Sequence, residues 1–496
     1  MKRASSPYDL RWAIERLREC PGQWHETDAE VDPSAQLSGV YRHIGAGGTV
    51  MRPTRLGPAM MFNAIKGVPG ARVAIGLLAS RKRVGLLLNE KPERLGWRLR
   101  ESVNHPVPPI EVSRDGAPCR EVVRRASDPD FDLRTLLPAP TNTPQDGGPY
   151  ITLGLCYATH PDTGMSDITI HRLCVQGRDT LSIFFTPGSR HIGAMAERAE
   201  ALGVPLPISV SIGVDPAVQL ASCFEPPTTP AGYDELAVAG ALRGRPVELT
   251  RCETIPERAI ANAEYVVEGV IEPGERVRED SATLSGCAMP EFPGYTGPAC
   301  EACHVIRVKA VTHRKNPILQ TCIGPSEEHV NLAGIPTEAS ILDMVERAMP
   351  GRILNAYASS AGGGKYMAVL QFQKREASDE GRQRQAALLA FSAFSELKHV
   401  FLVDGDVDPF DMNDVLWAMN TRFQADVDTI LIPGVRCHPL DPSQSPEYSP
   451  LIPEKGVGCK AAYDCTVPFR LKDQFVRAQF LEADPRPYAP EGFFKE

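Results

Sequence analysis

Apolar residues at Leu10, Ile14 and Leu17 fall on one helical face, and Ser6-Pro7-Tyr8-Asp9 before them reads as a capping box with proline at the first helical position. Beyond this helix, apolar stretches such as Val73 to Leu78 and Val84 to Leu88 mix with turns. Proline-rich segments at 106–109 and 137–144 punctuate the chain and place a first boundary near residue 125. From 150 to 320 the texture changes. Ile151 to Cys156, Asp167 to Val175, Leu181 to Phe185, Ile208 to Val214, Tyr265 to Ile271 and His304 to Val311 are β-branched, often alternate, and predict strands. Two helices interrupt them, Ile192 to Leu202 ending at Gly203 and about Asp234 to Arg243 ending at Gly244. After 335, helix and strand alternate: a helix capped by Thr337 with Ile341, Met344 and Val345 inward, then Tyr366 to Phe372 (strand), Gln383 to Leu397 (helix), His399 to Val403 (strand) and Asp411 to Met419 (helix). No internal repeat is evident. The fold class is α+β: an N-terminal portion at 1–125, a barrel-like core at 126–320, a linker at 321–336 and an α/β domain at 337–496.

Composition narrows the class of protein. The 496 residues are 42% hydrophobic and 23% charged, which suits several packed domains rather than a disordered chain. A net charge of -9 without long basic runs argues against a nucleic-acid partner, since nothing would neutralise phosphates. The basic N-terminus has no apolar segment behind it, and no stretch approaches the roughly 18 apolar residues of a membrane span, so a soluble cytoplasmic protein is expected. Thirteen scattered cysteines, an odd number, fit reduced thiols.

Four motifs fail on inspection. Gly45-Ala46-Gly47-Gly48-Thr49-Val50 lacks the third glycine of a dinucleotide fingerprint. Gly362-Gly363-Gly364-Lys365 is followed by Tyr366 and a strand where a phosphate loop needs Ser or Thr and a helix. Asp404-Gly405-Asp406-Val407-Asp408 has Pro409 and Val415 where a calcium loop needs Gly and Glu. Cys300-Glu301-Ala302-Cys303 has no second pair at zinc-site spacing.

Other constellations survive. Arg172 shares strand parity with Ile168 and Ile170, so it either finds a carboxylate or anionic ligand, or lies in solvent on an edge strand. Pro187-Gly188-Ser189-Arg190-His191 leads into a helix, where free N–H groups and Arg190 suit a phosphate or carboxylate; a simple cap is the alternative. Asp167, His191 and Glu235 are of the types that bind a divalent cation, although they lie on separate elements. Glu279, Asp280 and Glu291 form an acidic group. Glu291, among prolines and aromatics, would be desolvated toward the pKa of a general acid unless it is a surface residue. Glu327-Glu328-His329 and Lys365 add polar groups on loops.

At these residues the chain resembles a known family, the UbiD-like decarboxylases, and among them the protocatechuate and gallate decarboxylases of the AroY type. The match is carried by Val40 to Thr49, Leu136 to Pro144, Asp167 to Val175, Met289 to Tyr295, Glu327-Glu328-His329, Ala361 to Lys365 and Asp414 to Met419. It implies an N-terminal α/β domain, a split β-barrel that binds prenylated FMN, and a C-terminal α/β oligomerisation domain. It further implies Mn2+ on Asp167, His191 and Glu235, and K+ near Ala221, Ser222, Phe224, Glu235 and Arg422. Cofactor contacts would come from Thr169, Ile170, His171, Arg172, Arg190, His191 and Ser222, and the family's cofactor-contacting lysine aligns with Ser392. The catalytic Glu-Arg-Glu network falls on Glu279, Arg172 and Glu291, with Glu291 as proton donor and Asp280 as an alternative first acid; Arg190, His329 and Lys365 would meet the substrate.

The implied reaction is non-oxidative, reversible decarboxylation of protocatechuate or gallate to a catechol and CO2. Loss of CO2 leaves an aryl carbanion whose lone pair lies in the ring plane, and no side chain offers an adequate electron sink, so a cofactor must carry that step. The implied partners are a flavin prenyltransferase that supplies the cofactor, a small accessory subunit, and further copies of the chain in a dimer or hexamer. Two other readings are a decarboxylase of an indole-, pyrrole- or furan-carboxylate, and a flavin-reductase-like redox or binding module.

Overall fold

The computed structural model describes residues 8–185 and 191–489. Its centre is a closed barrel of six antiparallel strands: Tyr150–Thr159, Ser166–Val175, Thr180–Ile183, Leu206–Ile212, Tyr265–Val277 and Cys303–His313. The sheet closes because Tyr265–Val277 pairs with Leu206–Ile212 on one side and with Cys303–His313 on the other. All six strands were legible as alternating or β-branched runs. Their inward residues, among them Leu173, Leu181, Val210 and Ile306, fill the interior, and the His191–Leu202 helix lays Ile192, Met195 and Ala199 on the same apolar cluster.

The N-terminal sheet is built from Trp24–Thr27, Ala59–Phe62, Arg72–Ile75 and Ile318–Thr321. Its last strand therefore comes from the chain just after the final barrel strand, pairing parallel to Arg72–Ile75. The first described helix, Leu10–Arg18, starts three residues later than the capping box suggested. Asp9 is the cap, accepting the Trp12 N–H at 2.7 Å, while Ser6 and Pro7 lie outside the described residues.

A helix of 22 residues, Glu327–Ala348, runs through the stretch read as a linker. Thr337 is thus an interior helical residue and not a cap. Pro336 stands inside the helix, where its missing N–H leaves a gap in the ladder; the hydroxyls of Thr337 and Ser340 turn back onto the carbonyls of Ala333 and Pro336. Burial along most of its length outweighs the proline. Beyond it lies a five-stranded sheet in the order Ile353–Ala358, Met367–Phe372, His399–Val403, Val457–Asp464, Thr429–Arg436, with helices Arg382–Ala393 and Met412–Arg422 beside it. The Glu327–Ala348 helix is tied to the N-terminal domain by Arg81, whose two terminal nitrogens each lie 2.7 Å from Glu338.

All 13 cysteines are free thiols. Among the described residues no helix is long and apolar enough to cross a membrane. Asp404 and Asp406, from the rejected calcium loop, instead receive the guanidinium of Arg422 at 2.6 to 3.0 Å.

Candidate active site

A cavity of about 200 Å³ opens between the barrel, the start of the Glu327–Ala348 helix and the C-terminal domain. The barrel contributes Ile170, His171, Arg172 and Phe184, the hairpin after residue 287 contributes Met289, Glu291 and Phe292, and the C-terminal domain contributes Lys365, Phe394, His438 and Leu440.

Arg172 organises the barrel side. Its strand is internal to the sheet, so the guanidinium is only 13% exposed and must find partners. Glu279 takes it as a two-point fork at 2.8 Å on each arm, and Glu291 accepts from the remaining terminal nitrogen. Burial opposes the charge, but the two carboxylates outweigh it and the pKa of Arg172 is raised. Its guanidinium also stacks 4.2 Å from the Phe184 ring. Glu279 accepts further bonds from the Tyr150 hydroxyl (3.2 Å) and the Cys300 N–H (3.0 Å). Asp280 faces elsewhere, toward Arg278 and the Gly286 N–H, so Glu279 is the acid that Arg172 meets. Glu291 sits at the tip of a short hairpin, Cys287–Pro290 with Thr296–Pro298, its N–H bonded to the Tyr295 carbonyl.

His329 is the third residue of the long helix and lines the cavity 5.8 Å from the Phe292 ring, centre to centre. Lys365 follows the glycine turn. Gly363 and Gly364 both have positive φ, and a Cβ on Gly364 would stand 2.5 Å from the Val330 carbonyl oxygen. Only glycine brings this loop so close to the helix that carries His329. Gly364→Ala is expected to cost about 2 kcal/mol or more, from left-handed strain plus the clash, measured by urea denaturation.

Beneath the same helix start, Glu328 is fully buried and accepts the N–H groups of Gly76 (2.8 Å) and Leu78 (3.1 Å). Burial pushes its pKa up to about 7, against those donors and Arg83. A carboxyl raised in the folded state adds stability at low pH that is lost as pH climbs through the folded value. Unfolding free energy is therefore expected to fall by roughly 1–3 kcal/mol between pH 4.5 and 7.5 on account of Glu328, and Glu328→Gln should flatten that slope in denaturation series.

A second, small cavity of about 20 Å³ is lined by Asp167, Thr169, His191, Phe224, Glu225 and Glu235; Glu225 lines both cavities. His191 Nδ1 lies 3.0 Å from Asp167 Oδ1. Glu235 Oε2 and Thr169 Oγ1 are buried without a hydrogen-bond partner among the described residues, and burial together with Asp167 pushes the Glu235 pKa up to about 8. Buried carboxylates that repel each other and leave an oxygen unsatisfied suit a cation. Among the described residues, however, no three His, Cys, Asp or Glu side chains already converge at metal-binding distances.

The remaining expected residues divide. Ala221, Ser222 and Phe224 are buried at the end of the Pro216–Ala221 helix near this cavity, with the Ser222 hydroxyl bonded to the Gln219 carbonyl. Arg422 lines a different cavity in the C-terminal domain, between Asp404 and Asp406, and its side chain is not among those beside Glu235. Ser392 is exposed on its helix, its hydroxyl on the Leu388 carbonyl. Arg190 lies outside the described residues. Sequence reasoning missed Phe184, Glu225 and His438, which line the cavities, and Glu396, which contacts Lys365 and His438. Glu225, a carboxylate set between apolar Phe224 and two prolines, carried a usable signal; His438 and Glu396 carried none, because they meet only through tertiary folding.

Three family models for the 3-octaprenyl-4-hydroxybenzoate carboxy-lyases match the chain: the N-terminal domain over residues 14–103, the Rift-related domain over 110–327 and the C-terminal domain over 330–465. The chain belongs to the UbiD family of carboxy-lyases. It is 56% identical over 480 residues to a gallate decarboxylase of Lactiplantibacillus plantarum, spanning 97% of this chain and 98% of that one. It superimposes on the apo 3,4-dihydroxybenzoic acid decarboxylase (AroY) of Klebsiella pneumoniae with a TM-score of 0.93 at 58% identity, over 98% of this chain and all of that one. An evolved dimeric form of the UbiD-class enzyme HmfF from Pelotomaculum thermopropionicum, solved with prFMN, matches with a TM-score of 0.81 at 34% identity, over 96% and 97% of the two chains.

Proposed function

We propose that this protein decarboxylates a hydroxylated aromatic acid, protocatechuate or gallate, non-oxidatively and reversibly, to catechol or pyrogallol and CO2. The observation that carries this reading is one cavity lined by Arg172 and Glu291, with Glu279 bonded to Arg172 behind them, and by His329 and Lys365 on other walls, in a chain with the likeness to gallate and dihydroxybenzoate decarboxylases given above.

Prenylated FMN, when bound, supplies the electron sink that no side chain can provide. Thr169, Ile170, His171, Arg172 and His191, with the Ser222 segment behind them, would hold it; the unsatisfied Thr169 hydroxyl fits a ligand there. Asp167, His191 and Glu235 would hold Mn2+, which offsets the negative charge of a phosphate beside these carboxylates. A K+ ion would sit near Ala221, Ser222, Phe224 and Glu235.

The chain's own groups divide the work. Lys365 and His329 orient the ring hydroxyls, and Arg190 positions the acid. The apolar walls from Phe184, Met289, Phe292 and Leu440 strip water from the substrate carboxylate. Glu291 delivers the proton to the ring carbon that CO2 has left. Arg172 lies between the two carboxyl groups and anchors Glu291 at the cavity wall. In the carboxylation direction the same oxygen takes the proton back. A flavin prenyltransferase supplies the cofactor, and the protein works as a homo-oligomer, with a small accessory subunit as a further partner.

The test is co-expression with a flavin prenyltransferase, mass spectrometry of the intact cofactor, and CO2 release from protocatechuate, gallate and indole-3-carboxylate. Release from the first two supports the proposal. Release from indole-3-carboxylate alone would replace it with a heteroaromatic substrate, and NAD(P)H oxidation without CO2 would replace it with redox chemistry.

A further inference from the structure

The C-terminal domain's wall of the cavity brings two side-chain nitrogens to one carboxylate oxygen. Lys365 Nζ lies 3.0 Å from Glu396 Oε2, and His438 Nε2 lies 3.3 Å from the same atom. Their side chains are 10%, 12% and 7% exposed for Lys365, Glu396 and His438. The other imidazole nitrogen, His438 Nδ1, accepts the Leu440 N–H at 3.0 Å. A ring nitrogen that accepts a hydrogen bond carries no proton, so the Leu440 N–H assigns the hydrogen to Nε2, the nitrogen that faces Glu396 at 3.3 Å, and leaves the His438 ring neutral.

Glu396 is itself held firmly. It lies in the turn between the Arg382–Ala393 helix and the His399–Val403 strand, and the buried Lys460 donates to the carbonyls on either side of it, Ser395 and Leu397, at 2.6 Å each. Lys460 sits over the Phe391 ring at 5.3 Å, and Lys398 nearby is matched by Asp441 at 2.6 Å. Among the described residues, Lys365 is thus the cation that the C-terminal domain brings to the cavity, and its charge is met at contact distance by Glu396.

This arrangement decides what the wall can recognise. A lysine without a counter-charge in a partly dry pocket binds an anion by a charge-assisted bond. A lysine already paired with a carboxylate offers hydrogen-bond donors with little net charge, which suits a neutral hydroxyl, and the carboxylate repels an incoming anion. We propose that Glu396 is the specificity-determining positioning residue of this site: it holds Lys365 and His438 in place and cancels the lysine charge, so that the site takes ring hydroxyls and rejects a second carboxylate. The inference rests on the aromatic-acid reading of the cavity and deepens it.

The test compares protocatechuate with terephthalate, which places a carboxylate where protocatechuate has its para hydroxyl. Dissociation constants are measured calorimetrically on cofactor-loaded protein carrying Glu291→Gln, which keeps the ligands intact. With Glu396 present, protocatechuate binds tighter. Adding Glu396→Gln is expected to move the ratio of the two constants toward terephthalate by about ten-fold or more, while Glu396→Asp keeps the original preference. Equal weakening of both ligands, or an unchanged ratio, overturns the proposal, since a purely structural role predicts one of these. Should Glu396→Gln not fold, Lys365→Met reads the same balance with the opposite sign: terephthalate should lose ground to protocatechuate, and an unchanged ratio again overturns it. If the ratio shifts as expected while wild-type enzyme releases CO2 from no hydroxylated acid, the role of Glu396 stands and the proposed reaction falls.

Discussion

Glu291→Gln is expected to lower the decarboxylation rate by roughly 10³-fold or more, the range of a lost general acid, while the protein stays folded and keeps its flavin. The amide retains an oxygen for the Arg172 nitrogen that Glu291 now occupies, so the hairpin tip keeps its anchor. What disappears is the proton. Rapid-mixing kinetics on cofactor-loaded protein separates this from a binding defect, because KM should move far less than kcat. A cofactor-loaded Glu291→Gln enzyme with full activity would remove Glu291 from the role of proton donor.

Arg172→Leu should do two things at once. It removes the only group that bonds both Glu279 and Glu291 among the described residues, so activity should be lost. It also strands two carboxyl groups in a poorly hydrated site, which costs about 3–5 kcal/mol when one member of a buried ion pair is deleted. Glu279 is 2% exposed and, among the described residues, keeps only the Tyr150 hydroxyl and the Cys300 N–H as donors. Stranded carboxylates take up protons, and a raised folded-state pKa gives stability that is present in acid and lost as pH rises. The deficit against wild type should accordingly be larger at pH 8 than at pH 5 in urea titrations. Arg172→Lys keeps the charge but not the fork, so it should recover part of the stability and little of the activity. A deficit independent of pH would mean that lost packing against Phe184, not stranded charge, dominates.

Local patterning determined much of this protein. The six barrel strands could be read because β-branched alternation is a property of each strand by itself, and the helices ending at Gly203 and Gly244 because a left-handed glycine is a local device. Motif resemblance reached further, to Arg172, Glu279, Glu291, His329 and Lys365, and the structure brings all five to one region. The long helix was cut short in the reading because Pro336 is a local stop signal that burial overrode. The strand Ile318–Thr321 was missed because its partner lies some 240 residues earlier in the chain. The pairing of Lys365 with Glu396 and His438 was equally invisible: the three come from a glycine turn, a helix-to-strand turn and the loop after an edge strand. The sequence by itself therefore determined the six barrel strands and the glycine-ended helices, and it marked Glu291 and Lys365 as candidates, since these depend on near neighbours along the chain. Which acid of the Glu279–Asp280 pair faces Arg172, and whether the charge of Lys365 is matched, only the tertiary structure decided, because both depend on long-range contacts that no local period encodes.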